Sequence, residues 1–463
     1  MVKENKVQTL TIEEKLEQAL VPDWEQPYKV PSNWVWTNIK SICDFERGIT
    51  FPASAKQKME GKNLIPCLRT ANVQENLRID DLIYIDRRYM KGNSAKFVRT
   101  EDIIMSSANS RELVGKCSYV PELNQEMTFG GFVLMIRAKS IKSKYLFYFL
   151  RYEFLSGRFM KESTQTTNIA NINSTTLGAY DFPLPPLPEQ RRIVSRIESL
   201  FEKLDHAREL VQSALDSFES RKAAILHKAF AGELTAKWRK ENRVGMESWR
   251  IQPLGLLLLP MKTKKPTGEI FEYIDIDSIN NKTQKVSSPK LLKVTEAPSR
   301  AAREVKENDV LFSMVRPYLK NIAFIDASLS NAIASTGFYV CRSRNLLLPR
   351  YLYQLLCSND AIDYLMQFMK GDNSPSIRKQ DLEKMPILYP SVSEQQEIIR
   401  VLDVLLDKEQ QAKDKLEPIL DQIDLMKKSI LARAFRGELG TNDPSEESAM
   451  EFLKEILVKG NQS

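Results

Sequence analysis

The stretch EQRRIVSRIESLFEKLDHARELVQSALDSFESRKAAILHKAFAGEL, residues 189–234, is the part of the sequence that decides the fold. Its opening Glu-Gln and its closing Ala-Phe-x-Gly-Glu-Leu return in residues 394–439, and each shared residue lies 205 positions further along the chain. Nothing has been inserted or deleted between these marks in either copy. A loop would not need so fixed a length, so the spacing predicts a long helix that sets a distance.

Apolar residues in both copies follow a four-three spacing over four heptads, which is typical of a coiled coil. The first copy places Ile193, Ile197, Leu200, Leu204, Ala207, Val211, Ala214, Phe218 and Ile225 in this seam. The second copy places Ile398, Leu402, Leu405, Ala412, Leu416, Ile419, Ile423, Met426 and Ile430 there. Arg221 and Glu409 are the charged exceptions, and Pro418 should kink or restart the second helix. Gly232 and Gly437 are predicted left-handed residues at the helix ends.

The bulk composition is that of a globular protein with two to four domains in 463 residues. Met1 to Leu10 is polar and charged, which argues against a signal peptide, and Leu254 to Leu259 is too short to span a membrane and is predicted to be a buried strand. Five cysteines lie far apart without a Cys-x-x-Cys pair, namely Cys43, Cys67, Cys117, Cys341 and Cys357. This usage suits a reducing compartment, so a cytoplasmic protein is expected.

Charge divides along the same boundaries as the repeat. Residues 32–182 hold 21 Lys and Arg against 15 Asp and Glu, and residues 249–391 hold 20 against 14. Each segment therefore carries +6, while the rest of the chain sums to −5. The same excess in both copies predicts a shared polyanionic ligand.

The two basic segments also share a layout. Trp34 with Ile39 matches Trp249 with Leu254, Asp102–Ser106 matches Asp309–Ser313, Gly131–Phe132 matches Gly337–Phe338, and Tyr145–Leu146 matches Tyr351–Leu352. The second segment begins where the first long helix ends and returns into the start of the second helix, so the two helices most simply run antiparallel. The predicted fold is α+β: two mixed α/β domains separated by two long antiparallel helices that form a coiled coil, with a pseudo-two-fold internal repeat.

The predicted division of the chain follows from these marks. It consists of an N-terminal helical and extended segment (1–31), a first domain (32–182), a Pro-rich hinge with the first long helix (183–234), a linker (235–248), a second domain (249–391), the second long helix (392–439) and a C-terminal part (440–463). The last part is predicted to be a mobile linker, Thr441 to Glu447, followed by an amphipathic helix, Ala449 to Val458, that packs near the N-terminal segment.

Signs of catalysis are weak throughout the sequence. His206 and His227 both fall inside the first long helix, so a histidine-based catalytic or metal site is hard to build and a solvated or packing role is expected. Phe129-Gly130-Gly131-Phe132 lacks the strand, helix and acidic residue of a dinucleotide-binding loop. Asp181-Phe182-Pro183 resembles, but does not match, the Asp/Asn-Pro-Pro-aromatic motif of adenine methyltransferases. The sequence predicts a protein that recognises a ligand without transforming it, and no metal site.

Polar and basic residues cluster at predicted loops in each domain. The first domain offers Arg47, Thr50, Arg69, Thr70, Asn72, Ser106, Ser107, Asn109, Arg111 and Lys116 as candidate DNA contacts. The second offers Lys262, Lys264, Lys265, Arg300, Arg303, Arg316, Tyr318 and Lys320. Arg and Asn suit contacts with guanine and adenine edges, whereas Lys, Ser and Thr more often hold phosphates. Thr164 to Asn168 and Asn373 to Ser376 are weaker candidates, and a solvated charged surface is the alternative for all of them.

These residues together resemble a known family. Pro-Leu-Pro-Pro-Leu-Pro-Glu-Gln at 183–190, both Ala-Phe-x-Gly-Glu-Leu segments and the looser hinge at 386–395 are similar to those of the specificity subunit of type I restriction–modification systems. The resemblance runs from about Trp34 to Leu439. It implies that the two domains are target recognition domains, each of which recognises one half of a split, asymmetric DNA site.

The resemblance also implies partners. The long helices would dock two DNA-adenine methyltransferase subunits, with Glu189, Gln190, Phe230, Glu394, Gln395 and Phe435 as candidate spacer and docking residues, and a restriction subunit could join the complex. This chain would bind no cofactor itself, and S-adenosylmethionine, ATP and Mg²⁺ would belong to the partner subunits. Two alternatives stay open: an assembly adaptor whose basic domains bind protein or RNA, and a subunit of a methylation system without a nuclease.

Overall fold

The computed structural model describes residues 11–90, 92, 94–165 and 169–459. The prediction about a signal peptide concerns residues 1–10 and lies outside the described residues. The chain divides into two compact units. Unit 2 is the continuous stretch Leu210–Pro418, and unit 1 consists of the described residues on either side of it. Because both boundaries fall inside long helices, each unit contains one globular domain together with a portion of both helices.

The described residues form short helices and strands around the two long helices. The α-helices are α1 (Ile12–Ala19), α2 (Ile39–Ile42), α3 (Ser143–Ser156), α4 (Arg158–Glu162), α5 (Ser174–Gly178), α6 (Leu187–Asp216), α7 (Phe218–Phe230), α8 (Ala236–Glu241), α9 (Leu254–Leu257), α10 (Pro349–Cys357), α11 (Asn359–Met366), α12 (Lys379–Glu383), α13 (Val392–Phe435) and α14 (Ala449–Lys459). The strands of unit 1 are β1 (Val35–Asn38), β2 (Cys43–Arg47), β3 (Leu64–Leu68), β4 (Ile83–Asp86), β5 (Ile103–Ser106), β6 (Ala108–Asn109), β7 (Cys117–Tyr119), β8 (Thr128–Phe129), β9 (Val133–Ala138), β10 (Thr164–Gln165), β11 (Ala170–Asn171) and β12 (Asp181–Leu184). Those of unit 2 are β13 (Arg250–Pro253), β14 (Ile270–Ile274), β15 (Ile279–Asn280), β16 (Lys285–Val286), β17 (Lys290–Lys293), β18 (Ala301–Glu304), β19 (Val310–Ser313), β20 (Ile322–Phe324), β21 (Ile333–Ser335), β22 (Phe338–Cys341) and β23 (Pro386–Tyr389).

Three of the sheets in unit 1 have a counterpart in unit 2, and two of these three pairs differ in their number of strands. Unit 1 has the orders β1-β12, β2-β9-β5-β7, β4-β3-β8 and β10-β11-β6, and unit 2 has β13-β23, β20-β19-β22, β17-β14-β21-β18 and β15-β16. Among these strands, β3 is parallel to β8 and β14 is parallel to β21, while the other neighbours are antiparallel. Both central antiparallel sheets carry the same buried ion pair. The guanidinium of Arg137 donates to Asp102 at 2.8 and 2.7 Å, and that of Arg342 donates to Asp309 at 2.8 and 2.7 Å.

Strand register corrects one predicted match. Ser106 lies opposite Val133, and Ser313 lies opposite Phe338. Val133 is therefore the counterpart of Phe338, and the predicted match of Gly131–Phe132 with Gly337–Phe338 is one residue out. The exposure of the two phenylalanines agrees with this, because Phe338 is fully buried whereas Phe132 is 63% exposed.

The core of unit 1 joins its globular domain to both ends of the chain. Phe435, at the end of α13, is fully buried, and its ring centroid lies 5.4 Å from that of Tyr145 and 5.3 Å from that of Phe149. Ala449, Leu453 and Ile456 of α14 belong to the same buried cluster as Ala19 of α1, with Leu16 packed against it. The predicted C-terminal helix and its packing near the N-terminal segment are therefore confirmed.

The long helices differ from the prediction in where they break. The first copy consists of two α-helices that meet at Ser217, whereas α13 continues through Pro418 for 44 residues. The prediction that Pro418 restarts its helix is wrong. The ring removes a single N–H donor from the turn, and the helix on each side is long enough to continue. Gly232 and Gly437 have φ values of 81° and 74°, so the predicted left-handed conformation is confirmed.

The predicted seam is also partly wrong. Met426 is 51% exposed and Ala412 is exposed, whereas Lys427 is buried. Inside each unit the side chains identify the facing helix. In unit 1, Asp205 pairs with Lys427 and Arg208 pairs with Asp424, so the two helices are antiparallel inside this unit. In unit 2, the two charged exceptions are partners, because Arg221 Nε donates to Glu409 Oε2 at 2.9 Å.

The six residues predicted to dock partner subunits lie at the junction of domain and helix. Glu189, Gln190, Glu394, Gln395 and Phe435 are buried, and Phe230 is partly buried with its ring 5.3 Å from that of Tyr351. We call these six residues the domain–helix joint.

Hydrogen bonds explain this burial. Trp34 Nε1 donates to Glu189, and Trp249 Nε1 donates to Glu394. Gln190 Oε1 accepts from the backbone N of Lys142, and Gln395 Oε1 accepts from that of Leu348. The prediction that the joint offers a surface to partners is wrong, because the side chains of these six residues form hydrogen bonds or pack inside the fold.

Two further predictions fail locally. Leu254–Leu257 is a helical turn rather than a strand. Leu254 and Leu257 are buried whereas Leu256 is 62% exposed, because residues three apart lie on the same face of a helix. The predicted mobile linker is held in place. Arg192 donates to Glu446 at 2.7 and 2.8 Å and to the backbone oxygen of Thr441 at 2.9 Å.

Candidate nucleic-acid interface

A cleft in unit 1 collects several of the predicted DNA-contact residues. Its lining includes Arg47, Thr50, Arg69, Thr70 and Phe132, and its volume is about 430 Å³. Arg47 ends β2 and Arg69 follows β3 directly, so two strand ends from different sheets deliver the two guanidinium groups. The structure thus brings together four candidates that lie up to 23 residues apart in sequence (47 to 70).

Close approach of two loops forms the floor of this cleft. The backbone N of Gly48 donates to the oxygen of Val133 at 3.1 Å, and that of Ile49 donates to the oxygen of Phe129 at 2.8 Å. A Cβ atom on Gly48 would lie 2.1 Å from the backbone oxygen of Gly130. Only glycine fits there, so Gly48 and the Gly130-Gly131 pair serve this loop contact rather than a dinucleotide.

Arg69 is positioned by an acidic loop. Its Nη2 donates to the backbone oxygen and to Oδ2 of Asp81 at 3.0 and 3.1 Å. Within the described residues, Nε of Arg69 is buried and has no hydrogen-bond partner. A buried donor without an acceptor costs free energy, and an acceptor that enters the cleft could satisfy it.

Phe132 is the residue that sequence reasoning missed. Its backbone oxygen accepts from the N of Ser107 at 3.1 Å and from that of Ala108 at 3.3 Å, so Phe132 ties the cleft to the loop that carries Asn109 and Arg111. A large apolar side chain that is 63% exposed between polar and basic neighbours is unusual for a surface loop. The signal in the sequence is the Gly-Gly-Phe triplet, which places a large apolar side chain directly after two residues without side chains.

The weaker candidate Thr164–Asn168 lies beside the same loop. β10 pairs with β11, and β11 pairs with β6, which contains Asn109. Thr166, Thr167 and Asn168 lie outside the described residues. The strand pairing therefore places Thr164–Gln165 and Asn109 in one small sheet, two stretches that the sequence separates by more than 50 residues (109 to 164).

Four candidates in unit 1 support loops instead of lining the cleft. Asn72 is buried, accepts from Arg69 N at 2.8 Å and donates to the backbone oxygens of Arg78 and Asp81. Ser106 is buried and its Oγ accepts from Asn109, Ser107 is buried, and Lys116 Nζ donates to Gln74 Oε1. The side chains of Asn72, Ser106 and Lys116 bond inside the chain and Ser107 is buried, so these four residues hold the loops, and their contact with DNA stays a prediction.

Unit 2 exposes its lysine run along a strand edge. Lys262, Lys264 and Lys265 are exposed, and the backbone of this run pairs with β18, since Lys264 N donates to the oxygen of Ala302 at 3.1 Å. Lys264 also lines a cavity of about 350 Å³. Arg303 lies on β18 and Arg300 just before it. In the part of the chain that the structure describes, Nε of Arg303 is buried without a partner.

Arg316 and Tyr318 form a second exposed group in unit 2. Arg316 adopts a φ of 48°, its backbone N donates to the oxygen of Pro375, and its Nη2 donates to the oxygen of Asn373 at 2.9 Å. The weaker candidate Asn373–Ser376 is therefore adjacent to Arg316. Tyr318 is 42% exposed. Lys320 differs from these two, because its Nζ donates to the oxygen of Cys357 and to Asn359 Oδ1, and burial lowers its pKa.

Features that would indicate other activities are limited in the described residues. The five cysteines are buried and unpaired with one another, and burial raises the pKa of the Cys67 thiol to about 12. Among residues that the structure describes, no group of three or more His, Cys, Asp or Glu side chains could hold a metal ion. Over the same residues, every helix is too short or too polar to cross a membrane.

Comparison with known proteins identifies the family. The type I restriction modification DNA specificity domain matches residues 31–212 and 259–418. The specificity subunit of the type I restriction enzyme EcoKI from Escherichia coli K12 is 24% identical over 424 residues, covering 89% of this chain and 90% of that subunit. The StySPI specificity subunit from Salmonella potsdam is 23% identical over 427 residues, covering 89% and 90%.

Solved structures agree at the level of the fold. A chain from a study of complex assembly and conformational transition of the type I R-M system superposes with a TM-score of 0.67 at 19% identity, covering 89% of this chain and all of that one. The HsdS subunit from Thermoanaerobacter tengcongensis superposes with a TM-score of 0.56 at 19% identity, covering 89% and 99%. With a domain match over most of its length, the chain belongs to the type I restriction modification DNA specificity family.

Proposed function

We propose that this chain is the sequence-specific DNA-binding subunit of a type I restriction–modification system, with one target recognition domain in each unit. The observation that carries the proposal is the cleft of unit 1, where Arg47, Thr50, Arg69 and Thr70 converge beside the exposed Phe132. The chain is proposed to be non-catalytic, and the methyl transfer and DNA cleavage are assigned to partner subunits.

The chemistry of the cleft suits a DNA groove. A guanidinium can donate two hydrogen bonds to O6 and N7 of guanine, and hydroxyl and ammonium groups suit phosphate oxygens. Phe132 supplies an apolar surface that fits the methyl group of thymine. The excess of six positive charges in each recognition segment favours approach to a polyanion.

We also infer that the chain is an internal repeat with pseudo-two-fold symmetry and that its long helices form an antiparallel coiled coil. The support comes from within each unit. A two-stranded sheet beside the helix start, the same Trp–Glu hydrogen bond and the same Asp–Arg pair occur in both. The ion pairs Asp205–Lys427 and Arg221–Glu409 join facing helices in unit 1 and unit 2 respectively.

Docking of two methyltransferase subunits, and of restriction subunits where present, is proposed to use the outer faces of the long helices. The joint residues are buried, so other side chains must form the contact. Leu425 and Met426 in unit 1 are 66% and 51% exposed on α13, an apolar pair that a partner could cover. S-adenosylmethionine, ATP and Mg²⁺ are assigned to the partners.

Methylome mapping tests the proposal. The chain is co-expressed with its methyltransferase partner in a host without type I methylation, and N6-methyladenine is mapped across the host genome. One split, asymmetric motif with a fixed gap is expected. An adaptor that binds only protein or RNA would leave the genome unmethylated and would bind no duplex DNA. A system without a nuclease would methylate normally but would not restrict incoming phage.

A further inference from the structure

Two lysines lie at equivalent places in the long helices. Lys222 belongs to the first and Lys427 to the second, and they are 205 residues apart, the offset that separates all the shared marks. Lys427 is buried and Lys222 is half-buried. The apolar spacing predicts that Arg221 and Met426, the residues directly before these lysines, lie in the seam. Both lysines are therefore predicted to point away from the facing helix.

In unit 1 this lysine joins the globular domain to both helices. Nζ of Lys427 lies 2.5 Å from Oδ1 of Asp205 on α6 and 3.5 Å from Oε1 of Glu75 in the domain. It also lies 5.2 Å from the centroid of the Phe201 ring. Glu75 receives a second ion pair from Arg151 of α3. One ammonium group therefore connects a domain loop, the first helix and the second helix.

In unit 2 the equivalent lysine reaches the equivalent loop. Nζ of Lys222 donates to Oε1 of Gln284 at 3.1 Å. Gln284 is buried, and its backbone oxygen accepts from the hydroxyl of Tyr353 at 2.9 Å. The acceptor is an amide here and a carboxylate in unit 1, so the contact is retained although the loops differ in sequence.

Both contacted loops follow the same kind of turn. Arg69 N donates to Asn72 Oδ1 at 2.8 Å, and Asp275 N donates to Ser278 Oγ at 3.2 Å, so each turn is closed by a side chain three residues on. In unit 1 this turn contains Thr70 directly after Arg69, and both line the cleft. Glu75 follows five residues after Thr70, so the lysine contact and the cleft belong to one continuous loop.

Packing alone does not account for a lysine at this position. Placing an ammonium in a buried site costs desolvation, and an apolar side chain of similar volume is often as stabilising or more so. What the ammonium adds is a directed contact, which fixes the orientation of the loop on the helices.

We propose that Lys427 and Lys222 are positioning residues that hold each recognition loop at one orientation on the long helices, and that they thereby restrict the number of base pairs tolerated between the two DNA half-sites. The inference rests on the proposed DNA-binding function. It adds that the spacing between half-sites depends on these two side chains as well as on helix length.

Duplexes of different spacing test this. The motif found by methylome mapping is placed in duplexes with its natural gap and with gaps one base pair shorter and longer. Binding by the full chain with its methyltransferase partner is measured for wild type, Lys427→Met and Glu75→Ala, with Lys415→Met, an exposed lysine on the same helix, as the control. Preference for the natural gap should fall about two- to thirtyfold in the first two variants and stay unchanged in Lys415→Met. Lys427→Arg, which keeps the charge, should restore the preference.

The outcomes separate the two proposals. If wild type methylates no motif and binds no duplex, the proposed function fails. If wild type recognises its motif but Lys427→Met and Glu75→Ala weaken binding equally at all three gaps, or leave it unchanged, the positioning inference is overturned. Should Lys427→Met fail to fold, Glu75→Ala removes the same contact from a side chain that is 58% exposed and decides the question alone.

Discussion

The indole nitrogen of Trp34 donates a 2.7 Å hydrogen bond to Oε2 of Glu189, a carboxylate with no exposed surface. The counterpart in unit 2 is the 3.0 Å bond from Trp249 to Glu394. The two carboxylates differ in their other partners. Glu394 accepts from the guanidinium of Arg239 at 2.6 Å, whereas Glu189 accepts from the side-chain amide of Asn442 at 2.8 Å. One geometry is therefore stabilised by an ion pair in unit 2 and by neutral donors in unit 1.

This difference predicts unequal costs for the same substitution. Glu394→Gln leaves the nearly buried Arg239 without its carboxylate, so the free energy of unfolding should fall by about 3–5 kcal/mol. Glu189→Gln replaces an acceptor among neutral donors and should cost about 1–3 kcal/mol. Urea denaturation followed by circular dichroism measures both. Glu209→Gln, at an exposed position of α6, is the control. Equal losses in the two variants would contradict this account.

The lysine run of unit 2 should act on all DNA sequences alike. Replacing both Lys264 and Lys265 with alanine removes two exposed ammonium groups, which suit phosphate contacts. Affinity should fall by a similar factor on specific and random duplexes, and the slope of log K against log salt should decrease in magnitude by up to about 2. Fluorescence anisotropy over a salt series measures this. Arg316→Ala provides the contrast, since relaxed preference at one base pair is expected if its guanidinium contacts a base.

Phe132 should contribute to recognition without contributing to stability. Phe132→Ala removes a side chain that is 63% exposed, so the unfolding free energy should change by less than about 0.5 kcal/mol. Affinity for the specific duplex should fall by about 1–2 kcal/mol, roughly five- to thirtyfold, if the ring is buried against DNA. Val458→Ala, which truncates another exposed apolar residue, should leave DNA affinity unchanged. A Phe132→Ala variant with wild-type affinity would remove this residue from the interface.

Glu153 gives the protein a pH-dependent stability. Burial raises the pKa of its carboxyl from 4.5 to about 7, although Arg158 opposes the shift. Since the pKa is raised on folding, the contribution of Glu153 is fully present below pH 4.5 and is lost as the pH rises through about 7. Glu153→Gln mimics the protonated form. Its melting temperature relative to wild type should therefore increase between pH 5 and pH 8. Glu122→Gln, at an exposed position, should show no such trend.

Structural features that occur once in each copy of the repeat could be predicted from the sequence. The fixed offset of 205 implied equivalent helix ends, and the joint at Glu189 and Glu394 has equivalent contacts in both units. The matched Asp102 and Asp309 precede β5 and β19, and each binds an arginine on or directly after the strand that pairs with it, β9 or β22. Such positions are constrained by local helix capping and by strand alternation, and both leave a periodic trace in the residues.

Positions set by tertiary contacts could not be predicted. Asn72 is of a residue type that suits base contacts, yet its side-chain amide already forms hydrogen bonds with three backbone groups of its own loop. Lys427 is buried in a place where the heptad count put Met426, because Asp205 and Glu75 from distant parts of the chain compensate its charge. Phe132 is matched with the buried Phe338 in sequence, yet it lies directly before β9 and is exposed. In each case the deciding partner is remote in sequence, so a local pattern carries no trace of it.

The discontinuity of unit 1 has a consequence for biosynthesis. Unit 2 is a single uninterrupted stretch, Leu210–Pro418, so all of its core residues have been translated before the rest of α13 is made. Unit 1 cannot complete its core until Leu431, Phe435 and Leu453 have been translated, because they pack against Tyr145, Phe149 and their neighbours. The first domain to be synthesised is thus the last to be finished. Until then Tyr145 and Phe149 lack the ring of Phe435 that covers them, and a nascent chain that stalls late has a completely translated second domain attached to an incomplete first one.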